Sequence, residues 1–134
     1  MNNLKSILTH NGEIEIRTNE NELLWVGKPL SISVNQIISI PSSTDFIVLL
    51  NGLEANEKRI TNLIRLTCLG IIVWQVEFPK SNYRLIRTPK IDDVDIYTGV
   101  SRIENGLVYA YSCLGYSDRI DLITGKILSS DFVK

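Results

Sequence analysis

Side chains that could do chemistry are sparse in this sequence of 134 residues. The single histidine, His10, precedes an Asn-Gly pair and has no Cys or second His at the spacing of a metal site. Cys68 and Cys113 stand in similar Cys-Leu-Gly segments, and neither belongs to a Cys-x-x-Cys pair. We therefore interpret both cysteines as small residues packed in turns rather than as nucleophiles or zinc ligands. Whether the two thiols lie close in space stays open, and we expect no cofactor.

Aspartates offer the remaining route to catalysis, because a carboxylate pair can act as general acid and base without any fixed spacing. The candidates cluster in the second half of the chain, at Asp92, Asp93, Asp95, Asp118 and Asp121. The sequence has no nucleophile elbow, zinc-protease helix, Walker loop or dinucleotide fingerprint. Solvated surface positions are the commoner role of such carboxylates. An enzyme or small-ligand-binding protein that uses them is kept as an alternative.

A basic strip and an acidic strip are adjacent in the sequence. The segment from Phe78 to Lys90, both included, has four basic residues and no acid, and Asp92, Asp93 and Asp95 follow. The strips could neutralise each other across neighbouring strands. Because the net charge is only -1, four local charges would bind a phosphate backbone weakly, and we do not expect direct nucleic-acid binding.

The acidic strip instead predicts a surface for a basic protein partner. Carboxylates steer such a partner during encounter, and tyrosine supplies contact area at low entropic cost. We expect one exposed strip formed by Asp92, Asp93, Asp95 and Tyr97, with further contacts from Tyr111, Tyr116 and Asp118. Tyr109 shares a strand face with Tyr111, so either could belong to the core.

The composition predicts an all-β chain. Ile, Val and Thr together number 36, whereas Ala occurs twice. Branching at Cβ restricts rotamers in helices and suits a pleated sheet. The one candidate helix is 53–61.

Alternation and turn residues locate the strands. Polar and apolar residues alternate over 13–17, 31–34 and 93–97, as in half-buried strands. The unbroken apolar runs 46–50 and 71–74 predict central strands covered on both faces. Asn-Gly pairs at 11, 51 and 105 and the Thr-Gly pair at 124 mark turns.

A weak internal repeat suggests three similar units. Thr67-Cys68-Leu69-Gly70 nearly matches Ser112-Cys113-Leu114-Gly115, 45 residues on, and Trp25 and Trp74 lie 49 residues apart. Such periods are typical of propeller blades, each a four-stranded antiparallel sheet, and a closed ring needs about four blades. We therefore predict one all-β domain over residues 1–134, with hairpins in an open propeller-like or sandwich-like arrangement. Both tryptophans are assigned to the core.

The last hairpin carries a family resemblance. The segment Ile120–Leu128, a strand followed by a Thr-Gly turn and a second strand, resembles the end of a blade in quinoprotein-type propellers. Residues 62–66, Gly70 and 72–74 look similar. The resemblance implies blade-like architecture and no quinone site, since that site requires a complete ring.

The tail pattern Gly-Tyr-x-x-x-Ile-Asp-x-x-Thr-Gly-Lys, over 115–126, resembles small bacterial immunity proteins of contact-dependent growth inhibition systems. That resemblance implies a non-catalytic inhibitor that binds a cognate toxin domain, often a nuclease. A self-assembling propeller fragment, which would be a homo-oligomer, remains a further alternative.

The apolar runs are far shorter than the roughly 20 residues that span a bilayer, so no membrane partner is expected. The first residues lack the pattern of a secretion signal, and only two cysteines fit a reducing compartment. We therefore expect a cytoplasmic protein.

Overall fold

A computed structural model describes residues 4–79 and 95–133. Within those residues the β-strands are β1 Leu4–Leu8, β2 Ile14–Thr18, β3 Leu23–Gly27, β4 Val34–Ser39, β5 Phe46–Leu50, β6 Leu63–Leu66, β7 Ile72–Gln75, β8 Tyr97–Glu104, β9 Leu107–Ser112, β10 Tyr116–Asp121 and β11 Ile127–Phe132. A short α-helix, α1, spans Gly52–Glu57, and a 3₁₀ turn spans Pro29–Ser31. In the part of the chain so described, no helix is both long and apolar enough to cross a membrane.

The strands form three open antiparallel sheets in which neighbours in sequence are neighbours in space. The first sheet has the order β1-β2-β3, the second β4-β5-β6-β7 and the third β11-β10-β9-β8. The prediction of an all-β fold built from antiparallel hairpins is confirmed.

The described residues divide into two compact units. Those of Met1–Asn51 and Leu63–Gln75 form the first unit, and those of Gly52–Asn62 and Val76–Lys134 form the second. The first two sheets therefore belong to the first unit and the third sheet to the second. That the whole chain is one domain stays a prediction.

The core of the first unit confirms two of the strand predictions. Every residue of β5 is buried, and β5 lies between β4 and β6 as expected of a central strand. In β2, Ile14 and Ile16 are fully buried while the residues between and after them are partly exposed. Each fully buried aliphatic side chain contributes about 1.5–3 kcal/mol relative to an exposed one.

Two other strand predictions are wrong. The run 71–74 was expected to be central, but β7 is an edge strand, and Ile71 and Val73 are 62% and 48% exposed. The alternating segment 31–34 gives only the first residue of β4, because Leu30 and Ser31 adopt positive φ at the end of the 3₁₀ turn. The third alternating segment, 93–97, lies partly outside the described residues and yields the start of β8 at Tyr97.

Both parts of the predicted repeat fall in hairpins, but only one of them relates equivalent strands. Trp25 lies on β3 and Trp74 on β7, which are the last strands of the first and second sheets. The Cys68 segment instead connects the third and fourth strands of its sheet, whereas the Cys113 segment connects the second and third. The 45-residue offset therefore relates two similar turns rather than two equivalent strands. Gly70 and Gly115 both close their turns at positive φ.

The predicted helix is present in a shorter form. It ends at Glu57 rather than Thr61, and it begins at Gly52, where the second Asn-Gly pair was expected to form a turn. The chain after α1 is anchored in the second unit by Asn62, which is fully buried. Its amide Nδ2 donates to the carbonyl of Tyr97, and its Oδ1 accepts from the Tyr97 N–H, both at 2.8 Å. This pair of bonds positions the start of β8.

Candidate functional site

The third sheet receives most of the residues that the sequence singled out for partner binding. Asp92 and Asp93 lie outside the described residues. Of the other five, Asp95, Tyr97, Tyr116 and Asp118 are buried, and only Tyr111, 41% exposed, faces solvent.

The expectation that Asp95 and Tyr97 share an exposed strip is wrong, because the carboxylate and the ring are both engaged inside the second unit. Whether any of the seven residues takes part in binding stays a prediction. Asp95, Tyr97, Tyr116 and Asp118 are buried, so any contribution of theirs to binding would be indirect.

A hydrogen-bond network beneath the sheet surface connects three of its strands. The Tyr97 hydroxyl on β8 donates to Asp118 Oδ2 on β10 at 2.6 Å. The Ser130 hydroxyl on β11 donates to Asp118 Oδ1 at 2.5 Å. Asp118 is fully buried, and a buried polar side chain is stable only when it is hydrogen-bonded.

The strand register explains how Tyr97 reaches across the sheet. Asp118 is directly opposite Ser130 on one side and Ala110 on the other. Ala110, which is itself fully buried, lies on β9 between Val100 on β8 and Asp118 on β10. Tyr97 is opposite Ser112, two residues along β9 from Ala110, so its side chain crosses β9 diagonally to reach Asp118.

Asp95 holds the turn between β9 and β10. Its Oδ1 accepts from the Leu114 N–H at 3.3 Å and from the Cys113 thiol at 3.5 Å. Partial burial raises the pKa of the Cys113 thiol, and the nearby Asp95 carboxylate raises it further. A thiol held in its neutral form is a poor nucleophile, which agrees with the interpretation of Cys113 as a turn residue.

The solvent-exposed face of the third sheet carries a cluster in which the sequence analysis predicted only Tyr111 as a partner contact. Arg102, Tyr109 and Arg119 are cross-strand neighbours on β8, β9 and β10, and Tyr111 lies two residues along β9 on the same face. We call these four residues the Arg-Tyr face. The Arg102 guanidinium carbon lies 3.8 Å from the centroid of the Tyr109 ring, a cation-π contact.

Both arginines are held by acidic neighbours on the same face. Arg102 Nε donates to Glu104 Oε1 at 3.1 Å, with the two side chains 51% and 55% exposed. Arg119 donates to Asp131 Oδ2 at 2.6 Å and to the Ser129 hydroxyl at 2.8 Å. The hydrogen bond to Glu104 raises the pKa of Arg102, and the hydrogen bond to Asp131 raises the pKa of Arg119. Both guanidinium groups are cationic at every physiological pH, as arginine is in proteins generally. Exposed pairs of this kind contribute little to stability, but they restrict the arginine rotamers.

A further acid-base candidate of the third sheet is engaged in a turn. Asp121, another of the acid-base candidates, accepts from the Ile123 N–H and the Thr124 hydroxyl and so shapes the turn before β11. Over 4–79 and 95–133, no group of three or more His, Cys, Asp or Glu side chains is placed to hold a metal ion. What the third sheet presents to solvent is an ordered set of aromatic and guanidinium groups.

One signal in the sequence could have revealed the Arg-Tyr face. Buried Val108 and Ala110 alternate with Tyr109 and Tyr111 along β9, which places both tyrosines on the opposite side of the sheet. Identifying Arg102 and Arg119 additionally required the register of β8 and β10 against β9, and β8 carries two register shifts.

Comparison with solved structures identifies the fold class as propeller-like. The computationally designed Ika8 protein matches with a TM-score of 0.65 at 12% identity, over 100% of this chain and 35% of that protein. BamB from Moraxella catarrhalis matches with a TM-score of 0.61 at 16% identity, over 96% of this chain and 33% of BamB. The designed Ika4 protein matches with a TM-score of 0.67 at 11% identity, over 100% and 69% of the two chains.

This chain thus spans about a third of the length of the first two proteins. At such identities the likeness concerns the fold alone, and it supports the blade-like interpretation of the hairpins. No protein-family model matches the chain, and no curated protein is significantly similar to it.

Proposed function

We propose that this protein is a non-catalytic protein-binding module and that the Arg-Tyr face is its contact surface. The observation that carries the proposal is the stacking of Arg102 on Tyr109, in register with Arg119 across neighbouring strands. Tyrosine and arginine are enriched among the residues that dominate binding energy at protein interfaces. A propeller-like scaffold supports this use, because its sheets hold exposed side chains on rigid strands.

Preorganisation strengthens the case for this surface. Each side chain immobilised on association costs about 0.5–1.5 kcal/mol. Arg102 is already fixed by Tyr109 and Glu104, and Arg119 by Ser129 and Asp131. The strands below are connected by the Asp118 network. A partner would therefore meet a surface that needs little further ordering.

The sharper form of the proposal is an immunity protein that binds and neutralises a cognate toxin domain. It comes from the resemblance of the 115–126 segment to such proteins. An acidic contribution from Asp92 and Asp93 belongs to the same hypothesis. The cytoplasm is the compartment in which such an inhibitor would act.

The test first reads the neighbouring coding sequences for a large secreted effector, whose C-terminal domain is then purified as the probe. We expect binding by calorimetry and rescue of cells that express the domain. Replacing Tyr109 or Arg102 with Ala should weaken binding about 30-fold, the effect of losing a contact worth about 2 kcal/mol. Arg17→Ala is the matched control, because Arg17 pairs with Glu15 at the same 3.1 Å but lies on the first sheet.

Unchanged affinity in Tyr109→Ala and Arg102→Ala, with the fold intact by circular dichroism, would remove the Arg-Tyr face from the interface. Binding without rescue of the cells would refute the immunity role, but the proposal of a protein-binding module would still stand. Absence of binding to the effector domain would refute the toxin partner.

A further inference from the structure

The charged groups of the Arg-Tyr face and its acidic neighbours follow a symmetrical order. Arg102, Tyr109 and Arg119 form a central row across β8, β9 and β10, since Tyr109 is the register partner of both arginines. Glu104 and Asp131, which pair with the arginines, belong to the two edge strands of the sheet, β8 and β11. Two cations beside an aromatic ring are therefore bordered on each side by an anion.

The two acidic groups stand at opposite corners of this face. The strand register aligns Glu104 with Asp121 on β10 and aligns Asp131 with Ser117, four residues away on the same strand. Four residues along a strand cover about 13 Å, and the three strand spacings between β8 and β11 cover about 14 Å. The two acidic positions are therefore about 19 Å apart along a diagonal of the sheet. The middle of that diagonal lies at the level of the central row, between β9 and β10.

These charged groups are accessible and keep donors for a partner. The side chains of Arg102, Glu104 and Asp131 are more than half exposed. Arg102 donates to Glu104 through Nε, and Arg119 donates through Nη1 and Nη2 to Ser129 and Asp131, whereas each guanidinium has five N–H groups. The hydrogen bond to Asp131 raises the pKa of Arg119, and the positive charge of Arg102 opposes that rise. The two cations therefore repel each other, and an anion placed between them relieves the repulsion.

We propose that the Arg-Tyr face binds a protein surface on which one acidic side chain lies between two basic ones. The acidic side chain lies between Arg102 and Arg119, and the basic side chains lie beside Glu104 and Asp131. This inference rests on the proposed function and names the charge pattern of its partner. Complementary charges across an interface set the orientation and the choice of the partner. A phosphate backbone is disfavoured, because all its charges are negative and two of the four charged groups here are acidic.

The probe is a peptide that presents the complementary charges at this spacing, acetyl-Gly-Lys-Pro-Pro-Glu-Pro-Pro-Lys-Gly-amide. A polyproline II helix has three residues per turn and a rise of about 3.1 Å per residue, so the three charged side chains lie on one side and the lysines are about 19 Å apart. Proline has no backbone N–H, which prevents the peptide from pairing with a sheet edge. A second peptide has Gln in place of Glu, and a third has Lys at the centre and Glu at the two outer positions.

Binding is measured by ¹⁵N NMR titration of the full chain, in which the Nε–Hε signals of arginine report on individual side chains. We expect the signals of Arg102 and Arg119 to shift until they saturate, with a Kd of about 1 mM for the first peptide. The other two peptides should each bind at least about fivefold more weakly, because they remove or reverse the central charge.

A double variant of the chain isolates the charge pair. In Arg102→Gln with Arg119→Gln, exchange of Glu for Gln in the peptide should change the affinity less than about twofold, as expected when both sides of a double-mutant cycle have lost the interaction. The matched control is Arg17→Gln, since Arg17 pairs with Glu15 at 3.1 Å on the first sheet. That variant should keep the fivefold preference for the Glu peptide.

Equal affinities of the Glu and Gln peptides for the parent chain would overturn this inference, and so would a loss of the Glu preference in Arg17→Gln. Shifts confined to residues outside the third sheet, or no binding at about 10 mM peptide, would overturn it as well. None of these results removes the Arg-Tyr face as a contact surface, because that proposal is tested by Tyr109→Ala with the effector domain.

Discussion

Removing the Tyr97 hydroxyl tests the buried network beneath the third sheet. In Tyr97→Phe the ring keeps its shape and its buried position, 2% exposed, but the 2.6 Å bond to Asp118 is lost. Because Asp118 is fully buried, no bulk water replaces the missing donor. Removing one hydrogen-bond donor from a buried carboxylate costs about 1–3 kcal/mol. We therefore expect the free energy of unfolding to fall by about that amount.

The matched control is Tyr111→Phe, the same chemical change on the neighbouring strand β9. Tyr111 is 41% exposed, so its hydroxyl is solvated whether or not the chain is folded. Its replacement should change stability by less than about 0.5 kcal/mol. Urea unfolding followed by far-ultraviolet circular dichroism measures both variants against the parent chain.

A third variant separates the network from a simple packing effect. Ser130→Ala removes the second hydroxyl that donates to Asp118. Since both donors serve one carboxylate, the double variant with Tyr97→Phe should deviate from additivity by at least about 0.5 kcal/mol. The reasoning is refuted if Tyr97→Phe costs no more than Tyr111→Phe, or if the two losses at 97 and 130 simply add.

Two further predictions concern turns. Gly70→Ala should destabilise the chain more than Gly106→Ala. Both glycines have positive φ, +80° and +76°, and alanine in that conformation costs about 1–2 kcal/mol. A Cβ at Gly70 would also overlap the Trp25 indole, whereas a Cβ at Gly106 meets open space. Overlap should add about 1–3 kcal/mol in urea unfolding, and equal losses would contradict the packing of Trp25 on this turn. Asp95→Asn, in a chain whose other cysteine is replaced by Cys68→Ser, should lower the raised pKa of Cys113 because it removes a nearby negative charge. Alkylation by iodoacetamide should then reach its plateau at lower pH, and an unchanged pH profile would remove Asp95 as a cause.

Much of the fold could be predicted from residue types alone. The wealth of β-branched residues predicts strands, and the alternation around Ile14 and Ile16 predicts a half-buried one. The central position of β5 follows from five consecutive apolar residues. The same reasoning failed for β7, because a short apolar run does not reveal whether one strand or two will pair with it.

The candidate site was harder to predict for a physical reason. Alternation shows which residues share a strand face but not which face meets solvent. Tyr97 and Asp118 were predicted to contact a partner, yet their side chains are hydrogen-bonded to each other in the interior. Tyr109 and Arg102 become neighbours only through pairing of β8 with β9, whose register is shifted twice along its length.

The fully apolar strand β5 also has a consequence before folding is complete. Phe46–Leu50 is an uncharged stretch of strong β-formers without proline or glycine, the composition that drives intermolecular aggregation when it is exposed. The stretch is flanked by Asp45 and Asn51, polar residues that oppose such aggregation. In the folded chain Asp45 is paired with Arg65. The yield of refolding should therefore fall as protein concentration rises, and Asp45→Ala should make that fall steeper.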